Sequence, residues 1–325
     1  MIIVTGGAGF IGSALIAGLN GRKITDILVV DQFGTSAKWK NLRNLAFADY
    51  VEKADLLEMI AENKLDRPVE AVFHLGACSD TTEKDASYLL KNNYQYTKLL
   101  AQWATSKNVR FICASSAATY GDGETGFKDD ESSLETLQPL NMYGYSKHMF
   151  DLWARRTGLL EKKVVGLKYF NVFGPNEYHK GHMRSFVIKA FEQVKADGTV
   201  RLFKSYRHDY ADGEQVRDFI YVKDAVEMTL FFLDNLNLSG LYNIGSGVAR
   251  TWNDLVTAVF VATGREPKIE YIDMPDSIRS QYQYFTRADM TKLRAAGYDK
   301  EIASLEDAVK DYVQNYLQQG AYLTG

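Results

Sequence analysis

Cysteine is nearly absent from this chain of 325 residues, which carries only Cys78 and Cys113. Two thiols cannot build a disulfide framework or a multi-cysteine zinc site. Each falls in a stretch that reads as a buried strand end, where a thiol acts as a small core side chain. No apolar run approaches the roughly 18–20 residues that span a bilayer, and no cationic leader precedes Met1-Ile2-Ile3-Val4-Thr5, so a cytosolic, cytoplasmic protein is expected. Cations are not in excess: 38 Lys and Arg stand against 41 Asp and Glu, a net charge of −3. Nothing is left over to neutralise a phosphate backbone, which argues against nucleic acid as the main partner. Proline is scarce, five against 20 tyrosines. Tyrosine joins an apolar body to a polar tip and suits interfaces and sugar or nucleotide sites, but the count alone selects none of these. The composition, 46% hydrophobic and 24% charged, is that of an ordinary soluble globular protein, with room for one large α/β domain or two smaller ones.

Short apolar runs rich in β-branched residues alternate with longer amphipathic stretches through the first third. They are Ile2–Thr5, Phe10–Leu19, Asp26–Asp31, Leu56–Glu62, Ala71–Leu75, Tyr88–Trp103 and Arg110–Ser115. That rhythm predicts βαβ units and a parallel sheet covered on both faces. A helix is expected from about Tyr143 to Thr157 and a strand over Val164–Tyr169, followed by a basic and aromatic stretch from Asn171 to Arg217. The region from Thr251 to Tyr322 reads as helices with a few short strands. There is no low-complexity linker and no internal repeat. The expected class is α/β: a Rossmann-type doubly wound parallel sheet with a smaller mixed α/β substrate lobe. Residues 1–170, with a return at about 212–245, would form the nucleotide domain, and 171–325 would supply most of the interleaved lobe.

Gly6-Gly7-Ala8-Gly9-Phe10-Ile11-Gly12 follows the first strand at once and opens a helix, the context a glycine motif needs before it means anything. Gly6 permits a tight turn, Gly9 lets the backbone approach a pyrophosphate, and Gly12 allows close helix–strand packing. The helix N-terminus adds free N–H groups and partial positive charge. Asp31 ends the second strand 19 residues after Gly12, where a carboxylate meets an adenosine ribose. The same carboxylate repels a 2′-phosphate unless cations offset it. Lys38 and Lys53 could do that or could be surface lysines, so the residues alone leave NAD and NADP open.

Tyr143 and Lys147 lie four apart in Asn141-Met142-Tyr143-Gly144-Tyr145-Ser146-Lys147, which on a helix places them on one face about 5–6 Å apart at Cβ. Lowering a tyrosine from about 10 to about 7 takes roughly 4 kcal/mol of preferential phenolate stabilisation. A neighbouring ammonium and an oxidised nicotinamide are plausible sources. Upstream, Phe111-Ile112-Cys113-Ala114-Ser115-Ser116 carries a strand into serines at its carboxyl end, where ligands of parallel sheets sit. Glycine loop, serine and Tyr-x-x-x-Lys, in that order, resemble the extended short-chain dehydrogenase/reductase family, whose nucleotide-sugar members include epimerases, dehydratases and reductases. In that resemblance Ser116 matches the hydroxyl bonded to the reacting oxygen and Tyr143 the acid/base. Lys147 matches the group that binds the nicotinamide ribose and tunes the tyrosine.

Dehydratases of the family carry an Asp-Glu pair after the catalytic hydroxyl; Ala117 and Ala118 stand there, so elimination lacks its acid and base. The stretches His74–Glu83, Asn92–Tyr96, Asn171-Val172-Phe173-Gly174-Pro175 on to Met183, and Leu293–Asp299 are similar to the family branch that inverts C6 of an ADP-heptose. The likeness runs from Met1 to about Tyr316. It implies tightly bound NADP, a homo-oligomer (a pentamer) and a product used for the inner core of lipopolysaccharide. It raises Lys38 and Lys53 to 2′-phosphate ligands and adds Phe10, Ile11, Gln32, Leu75, Gly76, Ala77, Cys78, Ser79, Asn92, Val172 and Lys180 to the cofactor set. Gln32 stands where some relatives have asparagine and Leu75 where others have glutamate. Inversion by transient oxidation to a 6-ketone and hydride return needs a proton-handling group for each epimer if the reacting oxygen lies on opposite sides. The likeness assigns the second of these to Lys180. It places Asn171, His182, Lys189, Phe203, Lys204, Ser205, Tyr206, Arg217 and Tyr282 on the substrate, with Arg217 the best diphosphate fork. His179 and His182 are three apart, but with no cysteine or carboxylate cluster beside them no metal is expected. Asp218 is expected to pair locally or to cap the following strand. The competing readings are an NAD-dependent UDP-sugar 4-epimerase and a non-catalytic dinucleotide-binding regulator.

Overall fold

The computed structural model describes residues 1–65, 67–279 and 282–325. In chain order its strands are β1 (Ile2–Thr5), β2 (Ile27–Asp31), β3 (Asp49–Glu52), β4 (Ala71–His74), β5 (Arg110–Ser116), β6 (Val164–Tyr169), β7 (Asn171–Phe173), β8 (Val200–Phe203), β9 (Val216–Tyr221), β10 (Gly240–Ile244), β11 (Ala249–Thr251) and β12 (Ile269–Ile272). Seven of them form one parallel sheet in the order β10-β6-β5-β4-β1-β2-β3. The order reverses between β1 and β4, and the crevice at such a switch point is where open α/β sheets bind ligands.

Alternation explains why the central strands are apolar on both sides. Ile2 and Val4 belong to the core on one face and Ile3 to the core on the other; Val29 divides from Leu28 and Val30 in the same way. Each fully buried aliphatic side chain contributes about 1.5–3 kcal/mol, so a register slip of one residue is strongly disfavoured. The strand at the outer edge, β3, was not expected. Its Asp-Tyr-Val-Glu is polar at both ends and partly exposed, too short to signal a period.

After β6 the chain leaves the sheet and returns once. Helix Val222–Asp234 packs on helix Phe10–Gly21, close enough that a Cβ on Gly18 would lie 2.7 Å from Val226 Cγ1, and β10 then closes the sheet beside β6. β9, just ahead of that helix, pairs instead with β7 and β11 in a three-stranded sheet; β8 and β12 form a parallel pair. Helices Phe186–Ala196, Trp252–Thr263 and Leu305–Asp311 complete this second body. Among the described residues no helix is long and apolar enough to cross a membrane.

The long helical stretch after β4 is interrupted. Ala86–Leu89 passes through a π turn, Leu90–Gln95, into Tyr96–Ser106. Such turns recur at functional sites, and Asn93 within this one accepts from Cys78 N (2.8 Å) and donates to Cys78 O (2.9 Å) and Ser146 Oγ (3.0 Å). Cys113 is buried in β5 as expected, but Cys78 sits in the loop beyond β4, partly exposed.

Two glycines of the first loop have no substitute. Gly6 has φ +68°, and a Cβ there would stand 2.6 Å from Gly76 N; a Cβ on Gly12 would stand 2.1 Å from Gly6 O. Gly12 therefore serves helix-to-turn packing rather than the helix–strand packing expected. Gly12→Ala should lower unfolding free energy by about 1–3 kcal/mol, as overpacking does, and weaken dinucleotide binding, measured by urea denaturation and cofactor titration. Parent-like values for both would contradict the packing argument.

Candidate active site

The carboxyl ends of β1, β2 and β4 enclose a cavity of about 270 Å³ whose lining includes Gly6, Asp31, Gln32, Lys38, Lys53, Gly76, Ala77 and Asn92. Helix Phe10–Gly21 begins beside it with Gly9 as N-cap and no side-chain cap, so its first-turn N–H groups stay free for an anion. Asp31 accepts from Ala8 N at 2.8 Å and Gln32 N at 2.7 Å, and pairs with Lys38 Nζ at 2.5 Å. Lys53 donates to Asn92 Oδ1 and lies 4.6 Å from the centre of the Tyr96 ring; burial lowers its pKa. A carboxylate held at the strand end with two ammonium groups around it, next to a glycine turn no side chain could enter, fits a nicotinamide dinucleotide.

A second cavity, about 440 Å³, joins the first at Ala77. Its walls bring together Phe10, Ile11, Leu75, Ser79, Ser116, Tyr143, Lys147, Asn171, Val172, Lys180 and Lys189. Helix Met142–Arg156 carries two of these. Asn141 caps it by accepting from Gly144 N at 2.8 Å, and Tyr145, two residues from Tyr143 and so off its face, is exposed. Burial raises the pKa of Tyr143, and its hydrogen bond with Ser116 opposes that rise. Lys147 donates to the Ala114 carbonyl at 2.8 Å, and burial brings its pKa down to about 8. The ammonium is thus anchored to β5 rather than to the phenol one turn away.

Lys180 reaches the cavity from a different element, the turn Tyr178–Met183, with its ammonium 5.3 Å from the centre of the Phe10 ring. Burial lowers its pKa and Glu177 works against that. Glu177 is fully buried and accepts from Ser185 Oγ at 2.6 Å, from Ser185 N and from Gly174 N at 3.4 Å. Lys189 donates to His182 O at 2.6 Å, tying the same loop.

Not every expected residue reaches these spaces. Phe203 and Tyr282 line a third cavity of about 380 Å³, apolar, with Phe186, Trp252 and Leu202; Phe186 and Trp252 also border the second. Arg217 is buried behind it, its guanidinium 5.2 Å from the Tyr282 ring and 5.7 Å from the Trp252 ring, donating to Val216 O and Gln283 O. His182 is exposed and faces Asp80 at 3.4 Å; Lys204 and Tyr206 both reach Asp273 at 3.2 Å; Ser205 Oγ bonds Arg207 O. These four line none of the three cavities. His179 contacts Asn41 and burial lowers its pKa to about 4; among the described residues no three His, Cys, Asp or Glu converge on a point. Asp218 is buried and accepts from Ser246 N, Ser246 Oγ, Gly247 N and Ala288 N, so it ties two loops together.

Glu177, Phe186 and Trp252 are given no role by the sequence, nor is His74, which opens the stretch His74–Glu83 and is buried between Thr5 Oγ1 (2.6 Å) and Thr97 Oγ1 (2.8 Å). Glu177 had a signal, a carboxylate inside a stretch already singled out. The aromatics had none, because two helices far apart in the chain bring them together.

Fold and cavity fit a dinucleotide-binding enzyme, and the chain belongs to the NAD dependent epimerase/dehydratase family, whose model matches residues 2–245. It is 56% identical over 317 residues, 98% of each chain, to a protein of Nitratidesulfovibrio vulgaris named ADP-L-glycero-D-manno-heptose-6-epimerase. A protein of the same name from Fusobacterium nucleatum is 49% identical over 332 residues, covering 99% of this chain and all of that one. The crystal structure of the Helicobacter pylori ADP-L-glycero-D-manno-heptose-6-epimerase superposes with a TM-score of 0.82 at 29% identity, over 97% of this chain and 95% of that one.

A buried ammonium is a stability burden until it loses its proton. The native state releases the Lys147 proton near pH 8, whereas the unfolded chain holds it to about 10.5. Between those values the unfolded state binds more protons, so stability from this group rises with pH. Lys147→Met should therefore be more stable than the parent at pH 7 by on the order of 1 kcal/mol, with the gain shrinking from pH 8 to 10. Chemical denaturation across that range measures it, and a gain that grows with pH would contradict the assignment.

Proposed function

We propose that the chain interconverts ADP-D-glycero-D-manno-heptose and ADP-L-glycero-D-manno-heptose by inversion at C6, using NADP. The observation that carries this reading is the meeting of Tyr143 and Lys180 on one cavity, two proton-handling groups reaching it from different elements. C6 of a heptose has no adjacent carbonyl, so its hydrogen is not acidic, and inversion by direct deprotonation is closed. Oxidation of the C6 hydroxyl to a ketone, presentation of the other face, and reduction reach the epimer instead. When bound, NADP supplies the acceptor and donor of the hydride.

The protein's part is to hold and to move protons. As phenolate, Tyr143 would take the hydroxyl proton of one epimer, and Lys180, as the neutral amine, that of the other, while Ser116 donates to the oxygen as it gains charge. Lys147, fixed on the Ala114 carbonyl, keeps a positive charge beneath Tyr143. Burial lowers the Lys180 pKa, which brings the neutral amine within reach, and buried Glu177 partly offsets that. Lys38 and Lys53, both on the cavity that holds Asp31, supply the positive charge a 2′-phosphate needs. The aromatic cavity of Phe186, Phe203, Trp252 and Tyr282 suits the adenine. Gly6, Gly9, Phe10, Ile11, Gly12, Gln32, Leu75, Gly76, Ala77, Cys78, Ser79, Asn92 and Val172 complete the cofactor set, and Asn171 and Lys189 face the sugar and phosphates.

On this reading residues 1–170 with the return near 212–245 hold the cofactor and the remainder holds the substrate. The enzyme acts in the cytoplasm as a homo-oligomer, a pentamer, and its product feeds the inner core of lipopolysaccharide. The test is to incubate the purified protein with ADP-D-glycero-D-manno-heptose, resolve the C6 epimers chromatographically, and identify the cofactor released on denaturation. Epimerisation without net change in nicotinamide absorbance, with NADP released, is expected. Exclusive recovery of NAD, or inversion at C4 of a UDP-hexose, would overturn it.

A further inference from the structure

Behind the serine end of β5 lies a pair of buried charges that none of the steps above employs. Asp151 and Lys168 are both fully buried, the first on helix Met142–Arg156 one turn beyond Lys147, the second on β6 opposite Ser115. Asp151 Oδ2 accepts from Ser115 Oγ at 2.7 Å and faces Lys168 Nζ at 3.5 Å. Lys168 Nζ donates to Thr119 Oγ1 at 2.8 Å, and Thr119 Oγ1 donates in turn to the Ser116 carbonyl at 2.7 Å. The Lys168 ammonium also lies 4.4 Å from the centre of the Tyr120 ring. Asp151 Oδ1 has no partner among the described residues.

Such a pair is a poor way to gain stability, since apolar residues of similar volume commonly do as well. Its contacts, however, go to Ser115 and Thr119, which bracket Ser116, and its carboxylate lies on the same face as Lys147. We propose that Asp151 and Lys168 are positioning residues for the Ser116, Tyr143 and Lys147 group: Lys168 sets the Ser116 backbone through Thr119, and Asp151 holds the end of β5 and the charge on Lys147. The proposal rests on the roles given above to those three residues. The titratable groups facing Lys147 are Asp151 on its own helix, Cys113 on β5, Cys78 beyond β4 and His74 on β4, the last kept neutral by burial. Asp151 is the one carboxylate among them, and with Cys113 and Cys78 it opposes the effect of burial on Lys147.

The experiment compares parent, Asp151→Asn and Thr119→Val holoenzymes. The Lys147 titration is followed by NMR with ¹³Cε-labelled lysine, assigned through Lys147→Arg, and needs no substrate. In Asp151→Asn the titration should move to lower pH by about half a unit or more. With substrate, kcat should fall about tenfold while KM stays within about twofold, and the alkaline limb of the kcat profile should move the same way. Thr119→Val, which removes only one hydroxyl, should lower kcat by a few-fold with the alkaline limb in place. An unmoved Lys147 titration in Asp151→Asn would overturn the electrostatic part, and parent kcat in Thr119→Val the positioning part. Should Asp151→Asn fail to fold, Thr119→Val decides the positioning part and Lys168→Met, which leaves Asp151 uncompensated, decides the electrostatic part: its Lys147 titration should move to higher pH, and no movement would overturn the assignment. If the parent does not turn over ADP-heptose, the substrate assignment fails while the NMR titration still decides whether Asp151 acts on Lys147.

Discussion

Backbone touches backbone where the turn after β1 meets the turn after β4, and the site is arranged around that contact. Gly6, at φ +68°, lies against the Gly76 amide with no space for a side chain. The approach is possible because β1 and β4 are parallel neighbours at the point where strand order reverses. From one side of the contact the chain runs into the uncapped helix Phe10–Gly21. From the other it runs into the loop that Asn93 holds by both the N–H and the C=O of Cys78. Asn93 also donates to Ser146, whose hydroxyl donates to the carbonyl of Tyr143. Hydrogen bonds therefore join the loop after β4, which packs against the glycine turn, to the helix that carries the phenol.

Charge burial concentrates around this line. Lys147, Lys168, Asp151, Glu177 and Asp218 are almost entirely removed from solvent. Each is held by hydrogen bonds: Lys147 by a backbone carbonyl, Glu177 by Ser185, Asp218 by three amides and a hydroxyl. Burial moves Lys147 to about 8 and lowers Lys180 as well, so two ammonium groups can exchange protons nearer neutral pH than free lysine does. The fold gives up stability where the proposed chemistry needs adjustable protons.

Strands β1, β2, β4, β5 and β6 were legible because both their faces are buried and their residues form unbroken apolar runs, while β3 was hidden by its polar ends. The residues proposed to react were legible for a different reason. Tyr143 and Lys147 are joined by helical spacing and Ser116 by its place at a strand end, both of which are local facts. Lys204, Ser205, Tyr206 and His182 lie in the expected region, yet they pair with acids and carbonyls at the surface, and no spacing rule distinguishes a lysine facing Asp273 from one facing a phosphate. Arg217 faces the aromatic cavity only from behind Trp252 and Tyr282. The cavity itself comes from residues 186, 203, 252 and 282, whose proximity is a product of tertiary packing alone.

The central claim is that C6 is inverted by removal and return of one hydride, with proton exchange confined to oxygen. Running the reaction in D₂O and examining C6 of the product by proton NMR and mass spectrometry tests it most directly. The account predicts an inverted product that keeps protium at C6. Deuterium at C6 of the product would contradict it, because carbon would then have exchanged with a solvent-linked acid or base.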